Sequence, residues 1–364
     1  MSYTDIENEK GALRQLREIL ERVPFLRNIQ SFEEPRYVGR GLQPDFVLEL
    51  EVGDQPWTLI CEIKSNGQPR FARMAAYQLK DCIAESQVQR AYPVLIAPFI
   101  SETSAEICRK ADVGFLDFAG NCYLSFGNIF IERKGEKTVS VEKRQHRSLF
   151  SPKSSRILKL MLRDPGRCWK VEELAEKADV SLGQVSNVRN ALLDREWGNV
   201  EEAGVHLVQP DMILDAWRNS YIKRSVKRSS YYSLLHGKSF EDEVRNAFES
   251  NQNKTRAVFA SYSAAQWLAP FARVGSHYFY ADEEGEHLLQ NHLSLEPISK
   301  GENVIVERPK DRDVLVDSIE PASGIWCTGL IQTYLDLANS GERGLEAAEH
   351  LRSQIIEPLW RDYL

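Results

Sequence analysis

Three side chains near the start of the chain have types and spacing that could support metal-assisted hydrolysis. Asp45 precedes Glu62, and Lys64 follows that glutamate by two residues. The two carboxylates, together with the backbone carbonyl between Glu62 and Lys64, offer the oxygen ligands that a hard cation such as Mg²⁺ prefers. An ammonium group beside them could orient or help to deprotonate a metal-bound water.

The residues around these side chains predict two β-strands joined by a tight turn. Residues 44–50 and 57–64 are rich in apolar side chains, and a glycine, an aspartate and a proline lie between them. Such a turn is typical of a hairpin. Because side chains alternate along a strand, Glu62 and Lys64 share one face with Ile60. Leu59, Cys61 and Ile63 lie on the other face and are expected to face a core.

In this context Pro44, Asp45, Glu62 and Lys64 resemble the motif of the PD-(D/E)XK nuclease family, to which many restriction and repair endonucleases belong. The resemblance implies that Asp45 and Glu62 bind Mg²⁺, that Lys64 assists catalysis, and that the chain is a metal-dependent DNA endonuclease. The motif is short, and a glutamate and a lysine two residues apart on a strand also form ordinary solvated faces. Both interpretations stay open at this point.

The elements around the hairpin follow the order expected of that nuclease fold. The apolar periodicity predicts a helix over about 6–23 and further helices over about 70–85 and 102–111. A strand is expected over 92–97, and three short strands finish the region by residue 133. We therefore predict a restriction-endonuclease-like α/β domain over residues 1–140. The charged segment 134–153 is interpreted as a linker.

A second pattern follows this linker. Residues 152–162, 169–178 and about 181–197 predict three helices, and 198–208 predicts a small hairpin. The stretch from Val171 to Leu192 resembles the helix-turn-helix motif of the winged helix family. This resemblance implies a winged helix-turn-helix DNA-binding domain over residues 150–210.

The outward face of the third helix carries side chains suited to base edges and phosphates in a major groove. We predict that double-stranded DNA contacts Gln184, Ser186, Asn187, Arg189 and Asn190. Three cations could anchor flanking phosphates: Lys153, Arg156 and Lys170. The alternative is a winged helix used for protein contact or domain packing, because a fold alone does not fix function.

The remainder of the chain, residues 211–364, predicts a mixed α/β domain that binds a partner. Residues 288–295 are expected to be extended, as are 274–280 and 303–308, and two helices should begin near Ile331 and Gly344. The basic stretch 222–232 with its tyrosines suits either a nucleic-acid contact or, more commonly, a solvated helix end or connector. The whole chain is thus predicted to be a multidomain protein of α/β and α+β class.

A second resemblance concerns the Ala119-Gly120-Asn121 segment, the helix-turn-helix and the stretch from Gln332 to Leu337. These resemble AbiEi-like antitoxins, the DNA-binding members of type IV toxin–antitoxin systems. The resemblance implies a transcriptional regulator that binds its own promoter and counters a nucleotidyltransferase-like toxin. Because it covers more of the chain than the nuclease motif, we favour the regulator over the Mg²⁺-dependent endonuclease.

Composition and charge narrow the remaining choices. The net charge of −7 argues against nucleic-acid binding, but residues 133–170 hold twelve basic against three acidic side chains. The six cysteines are far apart without a CxxC pair, which predicts reduced thiols in a cytoplasmic protein rather than a zinc site. No apolar run is long enough to span a membrane, and no signal peptide is expected. A symmetric operator would imply a homodimer, although no heptad seam predicts one.

Overall fold

The computed structural model describes residues 3–32, 43–86, 88–135, 148–223, 225–250, 256–271, 275–311 and 313–361. The chain is a mixed α/β protein that divides into two compact units. The first contains Met1–Gln145 with Leu193–Glu196, and the second contains His146–Leu192 with Trp197–Leu364. The predicted linker falls mainly on residues 136–147, which lie outside the described residues.

The first unit is built on a mixed sheet whose strands lie in chain order. The strands are β1 (Leu26–Phe32), β2 (Phe46–Val52), β3 (Gln55–Ile63), β4 (Ala91–Ala97), β5 (Gly114–Asp117), β6 (Cys122–Phe126) and β7 (Ile129–Arg133). Strand β3 runs parallel to β4, and β4 runs parallel to β5, whereas the other neighbours are antiparallel. The carboxyl ends of β3, β4 and β5 therefore meet at one edge of the sheet.

Helices α1 (Tyr3–Leu20), α2 (Pro69–Glu85) and α3 (Glu102–Lys110) accompany this sheet. Leu59 and Cys61 of β3 join the hydrophobic cluster that includes α1, while Ile60 joins the cluster that includes α2 and α3. Both faces of β3 are thus covered. The predicted hairpin is confirmed, with Phe46 opposite Cys61 and Val52 opposite Gln55.

The second unit begins with helices and a small hairpin in the predicted order. These elements are α4 (Pro152–Arg163), α5 (Val171–Ala178), α6 (Leu182–Asp194), β8 (Gly198–Glu201) and β9 (Gly204–Leu207). Asp179 takes a left-handed backbone conformation (φ 52°) that ends α5, and the Ser181 hydroxyl accepts a hydrogen bond from the Gln184 amide at the start of α6. These local signals explain why the chain turns sharply between α5 and α6.

A second large sheet follows, with helices on and around it. Its elements are α7 (Pro210–Ser220), β10 (Ser225–Tyr232), α8 (Gly237–Glu249), β11 (Ala257–Phe259), α9 (Ser261–Leu268), β12 (His277–Ala281), α10 (Glu283–Leu293), β13 (Glu296–Pro297), β14 (Val304–Pro309), α11 (Asp313–Val316), β15 (Ile319–Ala322) and β16 (Ile325–Cys327). The strand order is β13-β10-β14-β12-β11-β16-β15. Helices α12 (Leu330–Ala338), α13 (Glu342–Leu351) and α14 (Glu357–Arg361) close the chain, with a π-helical turn over Arg352–Ile356.

One hydrophobic cluster joins the three-helix segment to the closing helices. Ile157 and Leu192 belong to the same cluster as Tyr334 and Leu351. The indole of Trp360 donates a buried hydrogen bond to the Leu162 carbonyl at 2.7 Å. The two predicted domains that divide near residue 210 thus share core residues, and that boundary stays a prediction.

Two expectations for the second sheet region were wrong. Residues 288–295, expected to be extended, lie mostly in α10, because the Asp282 carboxylate caps this helix by accepting from the Gly285 amide and Leu289 and Leu293 recur at helical spacing on its buried face. The connector interpretation of the basic stretch was also wrong, because Ser225–Tyr232 forms β10, which hydrogen bonds to β13 and β14, while a nucleic-acid contact of this stretch stays a prediction. Pairing with its neighbouring strands stabilises β10 as a strand, although its polar composition does not favour one.

No helix within the described ranges has both the length and the apolar composition that a membrane crossing requires.

The stability of the second unit should depend on pH through His277. Its half-buried imidazole stacks on Phe240, and burial lowers the pKa of His277. A histidine whose pKa is lowered by folding stabilises the folded state at pH values above its unfolded pKa of about 6.5. This stabilisation is lost as the pH falls through the pKa of the folded state. We expect the free energy of unfolding from urea titrations to fall between about pH 7.5 and about pH 5.5, and to fall less in His277→Phe. An equal slope in both proteins would contradict this account, and exposed His236→Gln is the control.

Candidate functional sites

Asp45, Glu62 and Lys64 come together at the edge where β3 ends. Asp45 immediately precedes β2, and its amide donates to the Cys61 carbonyl across the hairpin at 3.1 Å. The Lys64 amide donates to the Ile96 carbonyl of β4 at 2.8 Å, which fixes the backbone just beyond β3. The sheet therefore positions all three predicted side chains through backbone pairing.

The hydrogen bonds within this site hold the side chains in defined positions. The Lys64 Nζ donates to Glu62 Oε1 at 2.6 Å, and the Ile63 amide donates to Asp45 Oδ2 at 2.5 Å. Glu62 is 5% exposed. Its second oxygen, Oε2, is buried and has no hydrogen-bond partner among the described residues.

The burial and the charges of Asp45 and Glu62 favour the binding of a cation beside them. Burial raises the pKa of Glu62, the hydrogen bond from Lys64 opposes this shift, and the charge of Asp45 adds to it. Burial likewise raises the pKa of Asp45 against the opposing hydrogen bond from Ile63. Two adjacent carboxylates with one unpartnered buried oxygen form a donor set that fits a hard cation. The residues present thus fit the Mg²⁺ that the sequence predicts.

The predicted DNA-contacting residues of α6 differ in their accessibility. Asn187 and Asn190 are exposed, while Ser186 and Arg189 are half-buried. The Arg189 Nε is buried and has no hydrogen-bond partner in the described part of the chain. Gln184 donates to the Ser154 hydroxyl of α4 at 2.8 Å, so its side chain helps to join two helices.

The three predicted phosphate anchors also differ. Lys153 and Lys170 are exposed at the starts of α4 and α5. Arg156 donates to the carbonyl and the carboxylate of Asp179, both at 3.3 Å, and thereby holds the end of α5. A phosphate would have to compete with Asp179 for this guanidinium. Lys153 and Lys170 carry no such restraint in the contacts of the described residues.

A buried acceptor lies in the stretch that the second resemblance singled out. Asp336 of α12 is 1% exposed, and its Oδ1 accepts from the Tyr221 hydroxyl at 2.7 Å, the Tyr280 hydroxyl at 3.0 Å and the Gln332 amide at 3.1 Å. Burial raises the pKa of Asp336, while the charge of Lys223 and these hydrogen bonds oppose the shift. No sequence pattern signals this centre, because the two tyrosines come from distant segments.

Comparison with known proteins supports one of the resemblances over part of the chain. Residues 206–357 match the model of a family described as "Transcriptional regulator, AbiEi antitoxin, Type IV TA system". The match includes Tyr221, Tyr280, Gln332 and Asp336. The Ala119-Gly120-Asn121 segment, the nuclease-like motif and helices α4 to α6 lie outside it.

The other comparisons add no argument. No curated protein matches the chain. The crystal structure of the Megavirus polyadenylate synthase aligns at 10% sequence identity over 66% of this chain and 74% of that chain, with a TM-score of 0.20. Such a score does not establish a common fold.

Proposed function

We propose that this protein is a DNA-binding transcriptional regulator of the AbiEi antitoxin type, which reads double-stranded DNA through a winged helix-turn-helix formed by α4 to α6 and β8–β9. The observation that carries the proposal is the family match over residues 206–357. The chain upstream of that match supports it, because three helices and a hairpin follow one another in the order that winged helices use.

The contacts on α6 suggest how the reading would work. The exposed amides of Asn187 and Asn190 can pair with base edges, and the half-buried Arg189 can reach a guanine or a phosphate. Lys153 and Lys170 would position the helix on the phosphate backbone. The hairpin is less suited to phosphates, since Glu201 and Glu202 are exposed beside its turn. Base readout would therefore depend on α6 rather than on the hairpin.

Membership of the AbiEi antitoxin type would also identify a protein partner. A nucleotidyltransferase-like toxin encoded beside this protein would be bound by the region from residue 211 onward, and a symmetric operator would require a homodimer.

A reporter gene placed under the control of the DNA immediately upstream of this protein's own coding sequence tests the regulatory role. We expect repression by the wild type and loss of repression by Asn187→Ala/Asn190→Ala. Reporter output that is the same with and without the wild-type protein would overturn the proposal.

A second candidate function is Mg²⁺-dependent DNA cleavage, which the unpartnered buried oxygen of Glu62 favours. Asp45 and Glu62 would hold the metal, and Lys64 would orient a water from its position 2.6 Å from Glu62 Oε1. Bound Mg²⁺ would supply Lewis acidity at the phosphate. The regulator would then carry a restriction-endonuclease-like domain that remains able to cut.

This candidate predicts that the wild type cleaves plasmid and linear DNA in Mg²⁺ or Mn²⁺. Glu62→Ala and Lys64→Ala should each lower the cleavage rate by at least about 100-fold, because each removes a group that acts at the reacting phosphate. Gel assays of nicked and linear products measure the rate. Glu49→Gln, on the neighbouring β2, is the control for removing a carboxylate and should retain cleavage. A wild type that does not cleave DNA, or equal cleavage rates in the wild type and all three variants, would reject the nuclease function.

A further inference from the structure

A face formed by the hairpin and the segment before α5 brings together a thiol, an imidazole and a carboxylate. Trp169 forms an antiparallel bridge with Val205 of β9, which places Cys168 opposite His206. His206 pairs in turn with Asn199 of β8, and Glu201 follows Asn199 by two residues on the same strand. Because side chains alternate along strands, Cys168, His206 and Glu201 share one face.

The backbone holds this face firmly. The Trp169 amide donates to the Val205 carbonyl at 2.8 Å, and the Val205 amide donates back at 2.9 Å. Trp169 and Val205 are 4% and 2% exposed and occupy the opposite, buried face. Gly204 has φ 141°, and a Cβ there would lie 2.3 Å from the Trp169 carbonyl oxygen. The close approach of the two segments therefore requires glycine at this position.

The donor atoms lie at distances that suit a common ligand. The Cys168 Sγ lies 3.8 Å from His206 Nδ1, near the roughly 3.6 Å expected between sulfur and nitrogen ligands of a tetrahedral zinc. One donor atom from each of the three residues lies within 4.8 Å of the others. Cys168 is half-buried, whereas the other five cysteines are buried. It is therefore the thiol that solvent and ions can reach.

We propose that Cys168, His206 and Glu201 form a binding site for a thiophilic divalent cation such as Zn²⁺, with a water molecule as the fourth ligand. Thiolate and imidazole ligands favour zinc over Mg²⁺ or Ca²⁺, so this site differs in chemistry from the carboxylates of Asp45 and Glu62. Glu201 Oε1 lies 3.9 Å from His206 Nε2, so the carboxylate is close to the same imidazole that the thiol approaches.

The metal would tie the hairpin to the chain that precedes α5. It would also offset the negative charge of Glu201 near the turn of the hairpin. The sequence gives no spacing signal for this site, because strand pairing rather than local sequence brings Cys168 and His206 together.

Titration of the full-length, metal-free protein with Co²⁺ tests the site directly. We expect the wild type to show a sulfur-to-cobalt charge-transfer band in the near ultraviolet at one equivalent, and Zn²⁺ to abolish it. Cys168→Ser should lose the band, and His206→Gln should weaken cobalt binding at least tenfold. His236→Gln, an exposed histidine elsewhere in the unit, should behave as wild type.

A thermal-shift measurement with Zn²⁺ gives a second readout that does not involve DNA. Because a ligand that binds only the folded state stabilises it by mass action, Zn²⁺ should raise the Tm of the wild type and not that of Cys168→Ser. The metal-free variants should melt at the wild-type temperature, which separates lost binding from lost folding. A wild type without the band, or a band retained in Cys168→Ser, would overturn the inference, whatever the outcome of the DNA experiments.

Discussion

Replacing Arg189 by alanine should weaken binding to the protein's own upstream DNA by about 10- to 100-fold, which corresponds to the roughly 1–3 kcal/mol of a specific arginine contact. The neighbouring Asn187 and Asn190 are exposed on the same helix, so they would contact a bound groove together with Arg189. Arg189 is half-buried and its Nε is buried, which restricts where its guanidinium can reach. Fluorescence anisotropy with a labelled upstream duplex measures the affinity at fixed salt.

The control for Arg189→Ala is Arg343→Ala. Arg343 is exposed near the start of α13, so its replacement removes the same charge from another surface of the second unit. A purely electrostatic attraction would respond to both changes alike, whereas groove contact responds to the change in α6. Equal affinities for Arg189→Ala and the wild type would remove α6 from the proposed interface.

Asp336→Ala should lower the free energy of unfolding by about 3–4 kcal/mol, because it leaves buried donors without their acceptor. Tyr221, Tyr280 and Gln332 all donate to the same oxygen of Asp336. The three donors come from the end of α7, from β12 and from α12, so the loss should loosen the packing among these elements. Urea unfolding followed by tryptophan fluorescence measures the change.

The matched variant for this position is Asp336→Asn. The asparagine carbonyl can accept from the tyrosines, and its neutral amide removes the cost of burying a charge. We therefore expect a loss of less than about 1 kcal/mol for Asp336→Asn. Similar losses for the alanine and asparagine variants would show that the hydrogen bonds to Oδ1 do not stabilise the fold.

Local sequence signals predicted the elements whose pattern agrees with their surroundings. The β2–β3 hairpin has alternating apolar residues and a turn with Gly53 in a left-handed conformation. The helices α4, α5 and α6 have apolar stripes that meet in one core. In both regions, the side chains that are buried are those that the period of the element would bury.

The remaining elements depend on contacts between distant segments. Residues 288–293, where a strand was expected, lie in α10, because the Asp282 carboxylate caps that helix. The basic stretch from Ser225 to Tyr232 is a strand because it pairs with β13 and β14. Among the predicted site residues, Asp45, Glu62 and Lys64 are brought together by backbone pairing that the motif already implied. The role of Gln184 was not predictable, because its partner Ser154 lies on another helix.

As the proposed regulator, this protein would distinguish its own upstream DNA from other DNA by sequence. The most direct measurement is the affinity of the full-length wild type for its own upstream duplex compared with a scrambled duplex of the same composition, at fixed near-physiological salt. Sequence-specific regulators bind their sites at least about 1,000-fold more tightly than other DNA. We predict a ratio of that order, reduced in Arg189→Ala. Equal binding to both duplexes, or no binding to either, would contradict the account.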